Sequence, residues 1–300
     1  MSTREEWLAE RRTGIGGSDV AAIMGVSPWT SPLQVYLEKR GELPPQPDND
    51  AMMFGRLLEP IVRQVYADRT GHSVTVPGRA VRSARYPWLL ANFDGLTDHP
   101  RVYEGKTARH RDGWGEPGSG DIPLGYLLQV QHYMIVSTLS VTDVAVLFGG
   151  SQFECYTVEA DRELQDMIVD ETHAFWQRVQ RGEQPKARDM ADARLLYPRG
   201  VARPVVASSE VRDEVMRLAQ IGAEIARLKS EADVVQTRVC LAMGAHDGLL
   251  DAATGRTIAT WKDAKGRSTI DAEALRAAHP DIAMQFTKTG EPSRRFAIKV

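Results

Sequence analysis

Between residues 70 and 160 the spacing of apolar residues switches from helical to alternating, then to helices and strands in turn. That switch limits the fold more than any other feature, because a period near 3.6 and a period of two cannot share one element. Ahead of it, residues 3–12 read as a helix and Thr13-Gly14-Ile15-Gly16-Gly17 as a loop. Ser18-Asp19 gives a helix N-cap signal for a short run to Met24, ended by Gly25. Thr30 or Ser31 caps the next helix, with Pro32 in its first turn and Gly41 as its stop. Residues 44–50 form a loop, and a longer helix runs from Ala51 to Thr70, kinked by Pro60 and stopped by Gly71. The alternating pattern predicts strands at 72–76, 79–84, 89–94 and 101–107. A Gly- and Pro-rich loop at 111–121 leads to a helix at 123–139, strands at 142–148 and 153–158, and a helix at 161–181. This order predicts an α/β (α+β) chain with a mixed central β-sheet flanked by helices.

Residues 183–208 have no clear periodicity. The expected organisation is therefore a first domain over 1–190, a linker over 191–208 and a smaller helix-plus-sheet module over 209–300. From Ser209 to about Met243, Val211, Val215, Leu218, Ile221, Ile225 and Leu228 form an apolar stripe. The stripe serves packing or self-association, or docks a partner protein. A strand at 257–262, a short helix at 271–278 and a final strand over Arg295–Val300 follow. The basic residues of this end (Lys262, Lys265, Arg267, Arg294, Arg295, Lys299) could touch DNA. They are interspersed with Asp263, Asp271, Glu273 and Glu291, so they make no strong nucleic-acid footprint.

With 42% hydrophobic and 26% charged residues the chain is globular, neither disordered nor fibrous. Its net charge of −3 does not advertise nucleic-acid binding. An enzyme that grips a polyanion while holding cations with carboxylates can still look neutral. Cys155 and Cys240 lack metal-type spacing, which argues against zinc and iron–sulfur sites. No apolar run reaches the ~20 residues of a membrane span, so no membrane partner is expected. The charged start, MSTREEWLAERR, lacks a signal peptide's apolar stretch, so a cytoplasmic protein is expected.

The chemistry concentrates between Asp94 and Lys106. Asp94 sits in Ala91-Asn92-Phe93-Asp94-Gly95, at a strand end or turn. Glu104 and Lys106, in Val102-Tyr103-Glu104-Gly105-Lys106, point to one face of a strand. Two carboxylates make a hard oxygen site suited to Mg²⁺ or Mn²⁺, and a lysine can orient a water or stabilise developing charge. Spacing alone equally fits a surface turn followed by an exposed strand. Glu59 shares a helix face with Gly55, Val62 and Tyr66. A carboxylate in that company is paired, bound to a cation, or reaching out to water. Gln129 and Tyr133, one helical turn apart, face one direction and could reach a phosphate together, or form a plain helix boundary. Arg12, the glycine-rich loop and Ser18 precede a helix N-terminus, an arrangement that binds phosphate or is simply a capped helix. Asp19 in the first turn opposes an anion there. His110, His132 and His173 are isolated and read as structural or surface residues. Trp29, Trp88, Trp114 and Trp176 read as core or rim.

Five ordered blocks extend this reading. Arg11-Arg12-Thr13-Gly14-Ile15-Gly16-Gly17-Ser18-Asp19, followed by Ser27-Pro28-Trp29, resembles the opening signature of YqaJ-like viral recombinases. That family sits with the lambda-type phage exonucleases in the PD-(D/E)xK nuclease superfamily. Phe54-Gly55 with Glu59-Pro60, Asn92-Phe93-Asp94-Gly95, Glu104-Gly105-Lys106 and Gln129-Val130-Gln131-His132-Tyr133 recur in the same order. The resemblance implies a restriction-endonuclease-like core. It assigns Asp94 and Glu104 as central metal ligands, with the Gly105 carbonyl a further ligand and Glu59 completing a second metal site. Lys106 would position the attacking water, Gln129 would contact the site, and Arg12 and Ser18 would hold a 5′-phosphate. One position departs: the residue between the Glu and the Lys is usually bulky and aliphatic, and here it is Gly105. The implied activity is 5′-to-3′ degradation of one strand of linear duplex DNA, with two Mg²⁺ or Mn²⁺ ions per site. The partners implied are double-stranded DNA ends, a single-strand annealing recombinase and further copies of the chain in a ring. The implied location is the bacterial host cytoplasm. An endonuclease, a single-strand nuclease and a nuclease-dead DNA-binding adaptor are the other readings.

Overall fold

The computed structural model describes residues 4–43, 49–266, 268–290 and 293–299. Thr3, loop residues 44–48, Arg267, Glu291 and Val300, named above, lie outside them. The chain divides into two units, Met1–Leu196 and Tyr197–Val300.

The first unit opens with α1 (Arg4–Arg11), α2 (Gly17–Ile23), α3 (Pro32–Arg40) and α4 (Asp50–Thr70). Ser31 caps α3 by accepting from the Gln34 N–H at 3.1 Å, and Gly41 stops it in the left-handed region at φ 72°. The N-cap of α2 is Gly16, not Ser18; Asp19 reaches back to accept from the Gly16 N–H at 2.8 Å. Next come β1 (Val74–Thr75), β2 (Val81–Arg82), β3 (Leu90–Ala91), β4 (Gly95–Thr97), β5 (Val102–Ala108), α5 (Leu124–Ser137), β6 (Val141–Phe148), β7 (Gln152–Glu159), α6 (Arg162–Arg181) and α7 (Met190–Leu196). Five strands form the central sheet in the order β1-β4-β5-β6-β7. Only β5 and β6 run parallel, in register from Val102 opposite Thr142 to Ala108 opposite Phe148.

That parallel pair needs a crossover, and α5 supplies it. The alternation of β6 sets the two faces of the sheet. Val144 and Val146 pack with Val130 and Met134 of α5, while Ala145 packs with Tyr103 of β5 and with Val62 and Tyr66 of α4. A third cluster binds α2, α3, α5 and α6 together through Val20, Leu33, Leu128 and Ile168. The mixed sheet flanked by helices is therefore as expected.

Several elements differ from expectation. The strands anticipated at 72–76, 79–84 and 89–94 shrink to two residues each, since prolines and glycines crowd their ends, and β2 pairs with β3 in a separate ribbon. Gly95–Thr97, just after the strand end or turn expected at Asp94, is β4. In the segment without periodicity lies α7, whose only buried residue is Asp192, so no apolar pattern marks it.

The second unit contains α8 (Ser209–Met243), β8 (Gly248–Leu250), β9 (Thr257–Thr260), α9 (Ala272–Ala278) and α10 (Pro280–Phe286). β8 and β9 pair antiparallel. β8 and α10 carried no sequence signal, and residues 295–299 form no strand.

Candidate active site

The geometry is built on β5, the middle strand of the sheet. Glu104 and Lys106 lie on the face toward α5, as alternation requires. Glu104 is 1% exposed; its Oε1 accepts from Lys106 Nζ at 2.5 Å and from Gln129 Nε2 at 2.7 Å. Lys106 also donates to Gln129 Oε1 at 3.2 Å, and Gln129 donates to the Tyr133 hydroxyl at 2.9 Å. Asp94, at the turn between β3 and β4, accepts from the Gly105 N–H through Oδ2 at 3.0 Å. Asp94, Glu104, Lys106 and Gln129 thus meet at one place. Glu59 stands on the neighbouring α4, where it accepts from Arg63 at 3.4 Å; Arg63 also donates to the Asp94 carbonyl at 3.3 Å.

The carboxylates repel one another. Burial and then the Asp94 charge push the Glu104 carboxyl up to about 8, and the same two causes raise Glu59. Burial pulls Lys106 down, but Glu104 and Asp94 outweigh it and hold the amine above its usual value, so it stays an ammonium. Glu104 Oε2 is buried with no hydrogen-bond partner. A bare buried carboxylate oxygen beside a second acid is an uncompensated cost unless a cation completes it. Among the described residues no three His, Cys, Asp or Glu side chains stand at ligating geometry together; Lys106 holds Glu104 and Arg63 holds Glu59. The side chains of Asp94, Glu104 and Glu59 offer hard oxygen only, the donor type that Mg²⁺ or Mn²⁺ takes.

The N-terminal loop is threaded against this cluster by two glycines. A Cβ on Gly14 would stand 2.6 Å from the Trp88 carbonyl, and one on Gly17 would stand 2.6 Å from Tyr133 Cε1. The start of α2 therefore lies on the Gln129–Tyr133 face of α5. Arg12, expected beside Ser18, instead lies against Gly41. Its neighbour Arg11 makes the contact, donating to Ser18 Oγ at 3.3 Å, to Asp19 at 2.9 Å and to Glu38 at 3.0 Å. Adjacent side chains at a helix end point about 100° apart, and the rotation of α1 turns Arg11 inward. Asp19 does not leave the loop acidic. Lys39, fully buried, pairs with it at 2.6 Å. Against the raising effect of burial, the Lys39 and Arg11 charges hold the Asp19 carboxyl below its usual value.

Beside the cluster a cleft of ≈ 690 Å³ runs from Ser18 and Gln129 past Trp114 and Tyr126 to Arg109 and His110, with Trp29 at its rim. Trp29 is 87% exposed. Trp114 is held by Tyr126, Phe148 and Tyr156, and Trp88 stacks on His173 at 4.4 Å. His132 is buried in the core. Sequence reasoning missed Arg11, Arg63 and Arg109. Arg11 had a signal, since it stands within the same motif as Ser18; the other two had none.

A YqaJ-like viral recombinase domain matches residues 6–140. The uncharacterised protein YqaJ of Bacillus subtilis strain 168 is 31% identical over 310 residues, spanning 99% of this chain and 94% of its own. The chain belongs to the YqaJ-like viral recombinase family. Two solved structures resemble parts of it. An alkaline exonuclease from Laribacter hongkongensis is 24% identical with a TM-score of 0.49, covering 59% of this chain and 93% of its own. A phage-related exonuclease from Haemophilus somnus 129PT is 12% identical with a TM-score of 0.44, covering 56% of this chain and 94% of its own. Every member of the cluster (Glu59, Asp94, Glu104, Gly105, Lys106, Gln129 and Tyr133) lies within the span that matches the YqaJ-like domain, as do Arg11 and Ser18. Among the described residues no helix is long and apolar enough to cross a membrane.

Proposed function

We infer that the chain is a metal-dependent exonuclease that degrades one strand of linear duplex DNA from its 5′ end, preparing a single strand for annealing. The observation that carries this reading is the buried, unpartnered oxygen of Glu104 beside Asp94 and the Lys106 ammonium. Family membership supports it.

Asp94, Glu104 and the Gly105 carbonyl would hold one divalent ion, Mg²⁺ or Mn²⁺, and Glu59 would complete a second site. Bound there, the ions would neutralise the scissile phosphate and lower the cost of forming hydroxide. Lys106 donates from a fixed ammonium, tethered by Glu104 and Gln129, toward the attacking oxygen or the phosphate it meets. Gln129 bridges Glu104 to Tyr133 and so ties the strand to α5. Arg11 and Ser18, rather than Arg12, would receive a terminal phosphate, which the Arg11–Ser18 contact supports. The neutralised Asp19–Lys39 pair behind them removes the local repulsion of an anion. The cleft beside the cluster accommodates the terminal nucleotide, with Trp29 at its rim. An annealing recombinase as partner, a ring of identical copies and action in the host cytoplasm complete the proposal.

The test is digestion of a linear duplex with one 5′-phosphorylated and one 5′-hydroxyl end, beside a circular control, with Mg²⁺ or EDTA. Mononucleotides should appear from the phosphorylated end with Mg²⁺ only. Lys106→Ala should lower the rate at least about a hundredfold. Arg11→Ala should erase the preference between the two ends. Cleavage of the circle, or DNA binding without cleavage in either Mg²⁺ or Mn²⁺, would refute the exonuclease.

A further inference from the structure

The longest helix of the chain has almost nothing packed on it. α8 spans 35 residues, about 50 Å at 1.5 Å per residue, and Met243 is its one buried residue. An isolated helix gains little from propensity alone and is held by burying a face. α8 has such a face. Val211, Leu218, Ile225, Ala232 and Val239 recur every seven residues, and Ile221, Leu228, Val235 and Ala242 recur every seven at the complementary step. Glu214 is the polar member of that second series. Val211, Leu218, Ile221, Ile225, Leu228 and Val235 are exposed, from Ile221 at 41% to Val211 at 53%, and Val239 is half-buried. A seam with this seven-residue repeat over five turns of the pattern is the seam of a coiled coil, not the broader face of a helix on a sheet.

We propose that α8 pairs with α8 of a second copy of this chain, parallel and in register. The charges beside the seam choose both the partner and the direction. One flank carries Arg217, Glu224, Glu231 and Arg238; the other carries Val215, Gly222, Lys229 and Gln236. In a parallel in-register pair, Glu224 meets Lys229 of the second copy, twice by symmetry, and the other flanking positions set no like charges together. In an antiparallel pair of full overlap, Glu224 faces Glu231 and Arg217 faces Arg238, so both flanking contacts between charged residues are between like charges. Within α8, Arg227 on the outer side already braces Glu224 at 2.7 Å and Glu231 at 3.0 Å, while Lys229 makes no ion pair among the described residues. The pairing lies wholly in the second unit and holds whether or not the first unit cleaves DNA.

Cysteine trapping on the full chain tests direction and register together. In a Cys240→Ser background, Val235→Cys places one thiol in the seam opposite itself, and Ser230→Cys places one on the outer side. Mild oxidation should convert most of the Val235→Cys chain to a disulfide-linked dimer and leave Ser230→Cys uncrosslinked. Sedimentation equilibrium supplies the second readout. Glu224→Lys should weaken self-association about tenfold, and adding Lys229→Glu should restore it to within about twofold, because the pair is then re-formed with its signs exchanged. Far-ultraviolet circular dichroism checks that α8 stays helical in each variant. Equal crosslinking of the two cysteine variants, or an association constant indifferent to Glu224→Lys, overturns the proposal and assigns the seam to a different protein.

Discussion

Gly105 stands where the family resemblance calls for a bulky aliphatic side chain. The space such a side chain would take is already filled. A Cβ at Gly105 would lie 3.0 Å from the hydroxyl oxygen of Tyr103, which is buried without a partner. Tyr103 lies two residues earlier on the same face of β5, against Tyr66 at 4.9 Å. The glycine and the tyrosine are therefore one feature, and the departure moves volume rather than removing it. Gly105→Val alone should cost about 1–3 kcal/mol in urea unfolding. Tyr103→Phe alone should be near neutral, since the lost hydroxyl had no partner. The double variant should recover at least half of the loss, and strict additivity would show that the two positions do not compete for space. A second residue-scale consequence concerns His132. One ring nitrogen bonds the Leu90 carbonyl at 2.8 Å and Nδ1 is buried with no partner, so the ring is neutral; burial pushes it down to about 4. Unfolding returns it to about 6.5. The unfolded chain therefore binds the proton first, and this contribution to stability is present above pH 6.5 and lost as pH falls toward 4. Against His132→Gln, the wild type should lose on the order of 3 kcal/mol more over that window. Parallel stability curves for the two would contradict the assignment of a neutral buried ring.

Among the elements, α3 and α7 are joined by one polar contact between residues distant in the chain. Ser31 Oγ caps α3 and donates to the buried Asp192 carboxylate at 2.6 Å, which also accepts from the Arg188 N–H at 2.8 Å. Ser31→Ala removes the cap and one of the partners of a buried charge, so it should cost about 2–3 kcal/mol by urea unfolding, well above an exposed cap. Ser31→Thr should retain most of the stability, and an equal loss in both would place the effect in packing. The same scale shows what was readable. Long elements with a full apolar period (α4, α5, β6, β7 and α6) stand where periodicity predicts them. The strands of two residues lie inside the longer strands predicted for them, since so short a strand has no period to set its ends, and α7 went unpredicted because it buries an acid rather than an apolar stripe. β4 follows from its pairing with β1 and β5, which local sequence does not encode.

For the whole molecule, cation binding by the carboxylates at the sheet centre would make stability depend on the ion. If Asp94, Glu104 and Glu59 bind Mg²⁺ or Mn²⁺ only when folded, a cation at about a hundred times its dissociation constant should add about 2.7 kcal/mol. Calorimetry should show a rise in Tm on adding either ion, reversed by EDTA and absent in Asp94→Asn. An unchanged Tm in the wild type would count against a cation site.

Sequence alone determined the class of fold and the faces on which the candidate residues of β5 and α5 stand. Alternation put Glu104 and Lys106 on one face of β5, helical spacing put Gln129 and Tyr133 on one face of α5, and both hold without tertiary contacts because they are properties of a single element. Tertiary structure alone decided which arginine meets Ser18 and that Lys39 neutralises Asp19. Those relations join residues of different elements or depend on the rotation of a helix against its neighbours. They are made where α1, α2 and α3 meet, and Gly17 lets the start of α2 lie on α5.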